Sequence, residues 1–230
     1  MRWTSGSRTG TEAEAVAEQQ RLRRLVDTTG PGPAPGSPGT IAGVDVAYDG
    51  TTGRLAAAAV VLDAESLEVV GEATAVGRTS FPYVPGLLAF RELPHVLEAL
   101  ERLSAPPGLV VCDGYGLAHP RRMGLATHLG VLTGLPSFGV AKTPFGFDFE
   151  QPGPERGAWT PLLDVDEVVG RAVRTREGVK PVFVSVGHGI GLEYACAHTL
   201  RLARGYRLPE TTRHADGLCR RTLSAALAAG

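Results

Sequence analysis

The sequence predicts an α/β fold, a mixed sheet with helices on its faces, from three observations. Apolar runs at 41–48, 55–63 and 67–76 follow one another with short spacers, which favours an antiparallel meander. Beyond residue 85, stretches of helical periodicity alternate with brief buried strands, the pattern that lays helices on a sheet. The 230 residues are 43% hydrophobic, enough core for one large α/β domain.

In chain order, Thr11 followed by Glu14 matches a capping box. A helix is therefore expected from residue 11 to about 27, with Val16, Leu22 and Leu25 as a partial apolar face. GPGPAPGSPG, residues 30–39, breaks regular structure and reads as a linker. Residues 1–40 are thus an N-terminal helix and linker and 41–230 the main body, in a single domain overall. Residues 85–103 have helical periodicity, with Pro94 marking a kink or a junction between two helices. Residues 108–112 make a short buried strand ending at Asp113, and a helix follows over 122–132. Another buried strand, 135–142, delivers Lys142 at its end. Polar and Gly/Pro-rich sequence then runs to about 158. Residues 181–190 form a strand leading into a helix at 191–204, and a last helix begins near 213.

Formal net charge is −1, so the chain as a whole shows no polyanion-binding signature and any nucleic-acid contact must come from a local patch. Only Lys142 and Lys180 are lysines among 23 basic residues, which with the Ala, Gly and Pro richness reads as GC-biased coding and makes Lys142 stand out. Cys112, Cys196 and Cys219 are odd in number and form no C-x-x-C pair, against a disulfide framework or zinc cluster and for a reducing compartment. The six histidines show no zinc spacing. The first residues lack an apolar signal core and no apolar run is long enough to span a membrane, so a cytoplasmic protein is expected.

Asp45 interrupts an otherwise apolar strand. An unpaired carboxylate there costs several kcal/mol, roughly, so it is either hydrogen-bonded structurally or binds a cation. Asp113 lies just past the end of another buried strand, where α/β sheets place ligands, although a turn-initiating Asp before Gly is an equally ordinary reading. Two such acids on neighbouring strands would suit Mg²⁺, which takes few protein carboxylates and keeps water or phosphate oxygens in its shell. Glu92 sits among apolar residues of a helix and is either a surface glutamate or an inward one.

Several stretches, in order, resemble the endonuclease V family of deoxyinosine-specific repair nucleases: IAGVDVAY, FPYVPGLLAFRELP, VCDGYGLAHPRRMGLATHLGV, GVAKTPF and KPVFVSVGHGIGLEYA. The resemblance runs from about Ile41 to the C-terminal helix; Val84 departs mildly from the family's usual Ile. It implies an RNase H-like fold with a five-stranded mixed central sheet and a Mg²⁺-dependent phosphodiesterase, with Mn²⁺ able to substitute. Asp45 and Asp113 match metal ligands, Glu92 the third catalytic carboxylate and Lys142 the lysine beside the scissile phosphate. Asp216 matches a further metal-shell residue, with His214 as the fallback.

The same resemblance makes Pro82, Tyr83, Val84 and Pro85 a rigid wedge that fills the gap left by an extruded base; from the residues alone a proline-rich turn with a packed Tyr is the favoured reading. Residues 113–130, DGYGLAHPRRMGLATHLG, then look like a base pocket. Hypoxanthine offers an O6 acceptor and an N1–H donor, and backbone groups can reach them where no Cβ intervenes. Gly114, Gly116, Gly124 and Leu125 are the candidates, with Gly86 and Leu88 closing the other side. His119, Arg121 and Arg122 contact phosphate or brace the loop, while Ser185 and His188 carry no assigned role. The implied reaction hydrolyses the second phosphodiester 3′ to the lesion and leaves 3′-hydroxyl and 5′-phosphate ends. DNA containing deoxyinosine is the expected partner of a monomer. Inosine in RNA or in single strands stays open, because 2′-hydroxyl contacts are invisible in sequence. The competing readings are another RNase H-like nuclease, such as a ribonuclease or resolvase, and a non-catalytic nucleic-acid-binding module. A small-molecule α/β enzyme would lack its nucleotide-binding glycine fingerprint here.

Overall fold

The computed structural model describes residues 10–229, so the first nine residues of the 1–40 segment lie outside it. Helix α1 (Glu12–Arg23) starts at the expected capping box: Glu14 N–H donates to Thr11 Oγ1, and Glu14 Oε2 accepts from the Thr11 and Gly10 backbones. It buries Ala15, Gln19 and Leu22. Leu25, expected on that face, is 55% exposed because the helix has already ended. Residues 24–39 have no helix or strand, as their composition predicts, yet they are tied down. Asp27 C=O accepts from Gly189 N–H at 2.8 Å, Asp27 N–H donates to His188 Nδ1 at 3.1 Å, and His198 Nε2 lies 2.9 Å from Pro33 C=O. The stretch is a strap across the body rather than a free linker.

Strands β1 (Thr40–Tyr48), β2 (Arg54–Asp63) and β3 (Val69–Arg78) form the expected antiparallel meander. Helix α2 (Leu88–Glu101) passes unbroken through Pro94; buried Leu93, Val96, Leu97 and Leu100 compensate the backbone bond that proline removes. Then come β4 (Leu109–Cys112), α3 (Leu125–Thr133), β5 (Ser137–Ala141), β6 (Asp148–Phe149), β7 (Trp159–Asp164), β8 (Glu167–Val173), β9 (Val182–His188), α4 (Leu192–Leu202) and α5 (Glu210–Ala228). Helix α3 begins three residues later than periodicity suggests, because Arg122 takes a left-handed conformation (φ 57°) and Gly124 is its N-cap.

Among the described residues the sheet has nine strands, four more than the expected central five, in the order β3-β2-β1-β4-β5-β9-β8-β7-β6. β4 runs parallel to both β1 and β5, and every other pairing is antiparallel. The β7–β8 hairpin has no counterpart among the expected elements: Pro161 and the polar turn at 164–167 mask its alternation. Ala42 and Val44 of β1 pack beneath α2 and α3, whereas Ile41, Val111 and Phe138 pack with α4. Helix α5 lies directly on β1, where a Cβ at Gly43 would come 2.2 Å from Thr211 C=O. Cys112, Cys196 and Cys219 are buried and free, and no described helix is long and apolar enough to cross a membrane.

Candidate active site

Parallel pairing puts Val44 opposite Cys112, so Asp45 and Asp113 emerge side by side at the same end of β1 and β4. Asp45 Oδ1 accepts from Val46 N–H at 2.8 Å, and Asp113 is ion-paired with Lys142, just beyond β5. Asp216 arrives on α5, which the close approach at Gly43 fixes against β1, and its carboxylate pairs with Arg220 at 2.8 Å. Asp113, Lys142 and Asp216 line one cleft of about 500 Å³. His214 is not among its lining residues; it lies 3.9 Å from Glu210 instead. Glu92 approaches from α2 on the opposite face, 8% exposed, accepting from Tyr48 Oη at 3.0 Å.

Burial, reinforced by the charge of Asp113, raises the Asp45 carboxyl to about 7. Burial likewise raises Glu92 to about 8, with Asp45 and Asp113 adding to it and the Tyr48 hydroxyl working against it. Buried acids that resist ionisation, as Asp45 and Glu92 do, are a donor set that a divalent cation relieves. Among the described residues no group of three or more His, Cys, Asp or Glu side chains is arranged to hold a metal ion. An open pair at strand ends nevertheless fits Mg²⁺, which is held by one or two carboxylates and completes its shell with water and phosphate.

A carboxyl whose folded pKa is raised binds its proton more tightly folded than unfolded, so its contribution to stability is lost as pH rises through the folded value. Asp45 and Glu92 place that loss in a window reaching from about 4 to about 8. Burial depresses His119 and His128 to about 4, which gives an opposite slope below roughly pH 6.5. The clean interval is therefore pH 7 to 8.5. There Tm in a chelator is expected to fall, and the gain on adding Mg²⁺ to grow with pH. A gain that does not change across that interval would separate these acids from the cation site.

Beside the carboxylates lies a cavity of about 480 Å³. Gly86, Leu88, Gly114, Gly124 and Leu125 line it, with Tyr115, Met123 and Phe145 among the other lining residues. Gly116 does not line it. Its N–H donates to buried Ser185 Oγ at 2.8 Å, and a Cβ there would lie 2.0 Å from Val186 C=O, so this glycine and Ser185 serve to anchor the loop on β9. At the cavity rim Tyr83 is 70% exposed between the exposed Pro82 and Pro85, while Val84 turns inward against Phe81 and Leu87 instead of projecting.

The three bracing candidates all hold protein. His119 is 3% exposed; its Nε2 lies 3.0 Å from Gly86 C=O and its Nδ1 accepts from Arg121 and Met123 N–H, so it ties the 82–86 turn to the loop after β4. Arg121 donates to the same Gly86 carbonyl at 2.8 Å, and buried Arg122 pairs with Asp164 and Glu167 of the β7–β8 hairpin. Sequence reasoning missed Gln19. Its amide donates to Gly86 C=O at 2.9 Å and Met123 C=O at 3.1 Å and accepts from Arg121, joining α1 to both cavity walls. The one signal was a polar residue on the buried side of a capped helix.

Paired acids beside a lysine at strand ends, next to a cavity and an arginine-bearing cleft, fit an enzyme that cuts phosphodiester bonds, a nuclease. The family model Endonuclease V matches residues 20–217. The chain is 68% identical over 213 residues to endonuclease V of Streptomyces coelicolor, covering 93% of this chain and 91% of the relative. It is 65% identical over 218 residues to that of Streptomyces avermitilis, covering 95% of each. The crystal structure of the S. avermitilis protein superposes with a TM-score of 0.93 over 98% of both chains at 63% identity. Endonuclease V of Ciona intestinalis, solved with a 24mer DNA containing an inosine followed by a ribo-adenosine, gives 0.80 at 28% identity, covering 93% of this chain and 98% of that one. The chain belongs to the endonuclease V family.

Proposed function

We propose that this chain is a metal-dependent repair endonuclease that recognises deoxyinosine and hydrolyses the second phosphodiester 3′ to it. The observation that carries the reading is a single peptide link: Asp113 lines the carboxylate cleft and Gly114, the next residue, lines the base-sized cavity. A base held in the cavity therefore keeps its own strand within reach of the acids.

Asp45 and Asp113, with Glu92 and Asp216 nearby, would hold Mg²⁺, for which Mn²⁺ can substitute. When bound, the ion supplies charge stabilisation and an activated water for in-line hydrolysis. Lys142 places a compact cation beside the scissile phosphate. Tyr83 stacks in the gap left by the extruded base, and Gly86, Gly114 and Gly124 bring backbone close enough to read the hypoxanthine edge, with Leu125 against the ring. The strand order β3-β2-β1-β4-β5, antiparallel in its first half and parallel in its second, supports an RNase H-like core extended by β9, β8, β7 and β6. Contacts of α1 and the 24–39 strap with the body support one domain, and three unpaired cysteines support a reducing, cytoplasmic setting.

Matched DNA and RNA strands, each with one inosine or one adenine, test the function. Nicking is expected only with inosine and only with added Mg²⁺ or Mn²⁺, and is lost in EDTA; equal cutting of adenine strands would overturn the specificity. Tyr83→Ala is expected to weaken binding of inosine duplex roughly tenfold to a hundredfold, the equivalent of about 1–3 kcal/mol for one stacked base. Unchanged affinity would remove Tyr83 from the wedge.

A further inference from the structure

The carboxylate cleft does not end at the acids. Past Asp113 and Lys142 its wall is built by Tyr206, Arg213 and Arg220, on the turn before α5 and on α5 itself. Residues 201–221 contain six arginines against two acids, in a chain whose 23 basic residues are outnumbered by 24 acidic ones. Three of the six, Arg207, Arg213 and Arg220, line the cleft, with Arg213 paired to Glu210 and Arg220 to Asp216.

Two arginines make this wall a built feature. Arg207 donates to the carbonyls of Lys142 at 2.6 Å, Pro181 at 2.7 Å and Lys180 at 3.0 Å, fastening the turn to the backbone that carries the lysine. The Arg213 guanidinium lies 3.3 Å from the centre of the half-exposed Tyr206 ring, with Glu210 bonded to one of its nitrogens at 2.6 Å. An arginine held flat on an exposed tyrosine presents donors to a phosphate oxygen and an aromatic face to a sugar or base.

Resting on the proposed function, the geometry points to this cleft as the binding site for the strand 3′ to the cut. The lesion cavity is lined by Gly114 and the arginine cleft by Asp113, the adjacent residue, and the two linings share no residue. A strand whose base is held in the cavity and whose cut lies on its 3′ side leaves the acids towards Tyr206, Arg213 and Arg220. The ligand is sugar-phosphate backbone, with the new 5′-phosphate at its near end. Backbone contacts of this kind position the strand and carry no sequence preference.

Fluorescence anisotropy in a chelator, with wild type, Arg213→Gln and Tyr206→Ala, tests the assignment. One inosine oligonucleotide extends well past the cut on the 3′ side and the other stops just beyond it; adenine versions serve as controls. With the long 3′ flank, each variant is expected to bind about fivefold to tenfold more weakly. For Arg213→Gln the slope of log K against log[KCl] should become shallower by about 0.7–0.9, the value for one lost phosphate contact. On the truncated oligonucleotide, wild type and variants should bind alike. Equal losses on both lengths, or an unchanged salt slope with unchanged affinity, would overturn the assignment. Failure of the underlying function reads differently: wild type would then bind inosine and adenine strands equally, whatever the flank. Unchanged Tm of the variants excludes a folding effect, and Tyr206→Ala carries the same length test without altering charge.

Discussion

Asp45→Ala is expected to lower Mg²⁺-dependent nicking of an inosine oligonucleotide by about 10³-fold or more, equivalent to roughly 4 kcal/mol of transition-state stabilisation. Asp45 and Asp113 are the two carboxylates that the β1–β4 register sets next to each other, and losing either leaves one protein carboxylate at the strand ends. The protein should remain folded. The Asp45 carboxyl is held at about 7 by burial and by Asp113, so at pH 8 its charge burdens the metal-free fold. Asp45→Asn, which keeps the shape and the Val46 N–H acceptor, should therefore match or exceed wild-type Tm in a chelator at pH 8 while being equally inactive. Full activity in either variant would remove Asp45 from the site.

Gly124→Ala is expected to damage both stability and lesion recognition. A Cβ on Gly124 would lie 2.3 Å from Tyr115 C=O and 2.7 Å from Gly116 C=O, with φ at −70°, so the conflict is one of space and not of backbone conformation. Those carbonyls belong to the loop between Asp113 and Gly116, itself clamped to β9 through Ser185 and Val186. Neither side can yield cheaply, and a loss of about 3 kcal/mol, roughly 6–12 °C in Tm, is the expected scale of such overpacking. Displacing the loop also moves Gly114 and Asp113, so the ratio of inosine to adenine cleavage should collapse further than the folded fraction does. A variant with wild-type Tm and wild-type discrimination would show that the contact can relax.

The meander, α2, β4, β5 and the C-terminal helices were legible because each is a local pattern: apolar alternation, helical periodicity, or a short run bounded by Gly and Pro. The β7–β8 hairpin was not. Its alternation is diluted by Pro161, and its turn is set by Val165 in a left-handed conformation, which no local propensity favours. The carboxylates were legible in kind, since Asp45 and Glu92 each interrupt apolar sequence. Their relation was not, because Glu92 reaches the site from the face opposite α5.

The loop at 113–130 shows the same division. Its glycines announced a close approach of backbone, yet Gly114 and Gly124 face a cavity while Gly116 faces β9. Arg121 and Arg122 carry the charge of a phosphate track but spend it on Gly86, Asp164 and Glu167. Gln19 gave almost no signal, and its main partner is 67 residues away.

By itself, then, the sequence determined the α/β class, the order of most elements, the identity of the acids and lysine, and the motifs that tie the chain to its family. All of these are properties of residue type and short spacing. Only the tertiary structure decided how many strands the sheet has, which glycines bound the cavity, which arginines are bound by protein, and that the basic wall lies on α5 beside Asp113. Those outcomes depend on strand register and on helix-to-sheet contacts between distant residues, where one Cβ or one carbonyl settles whether a side chain meets solvent or its own fold.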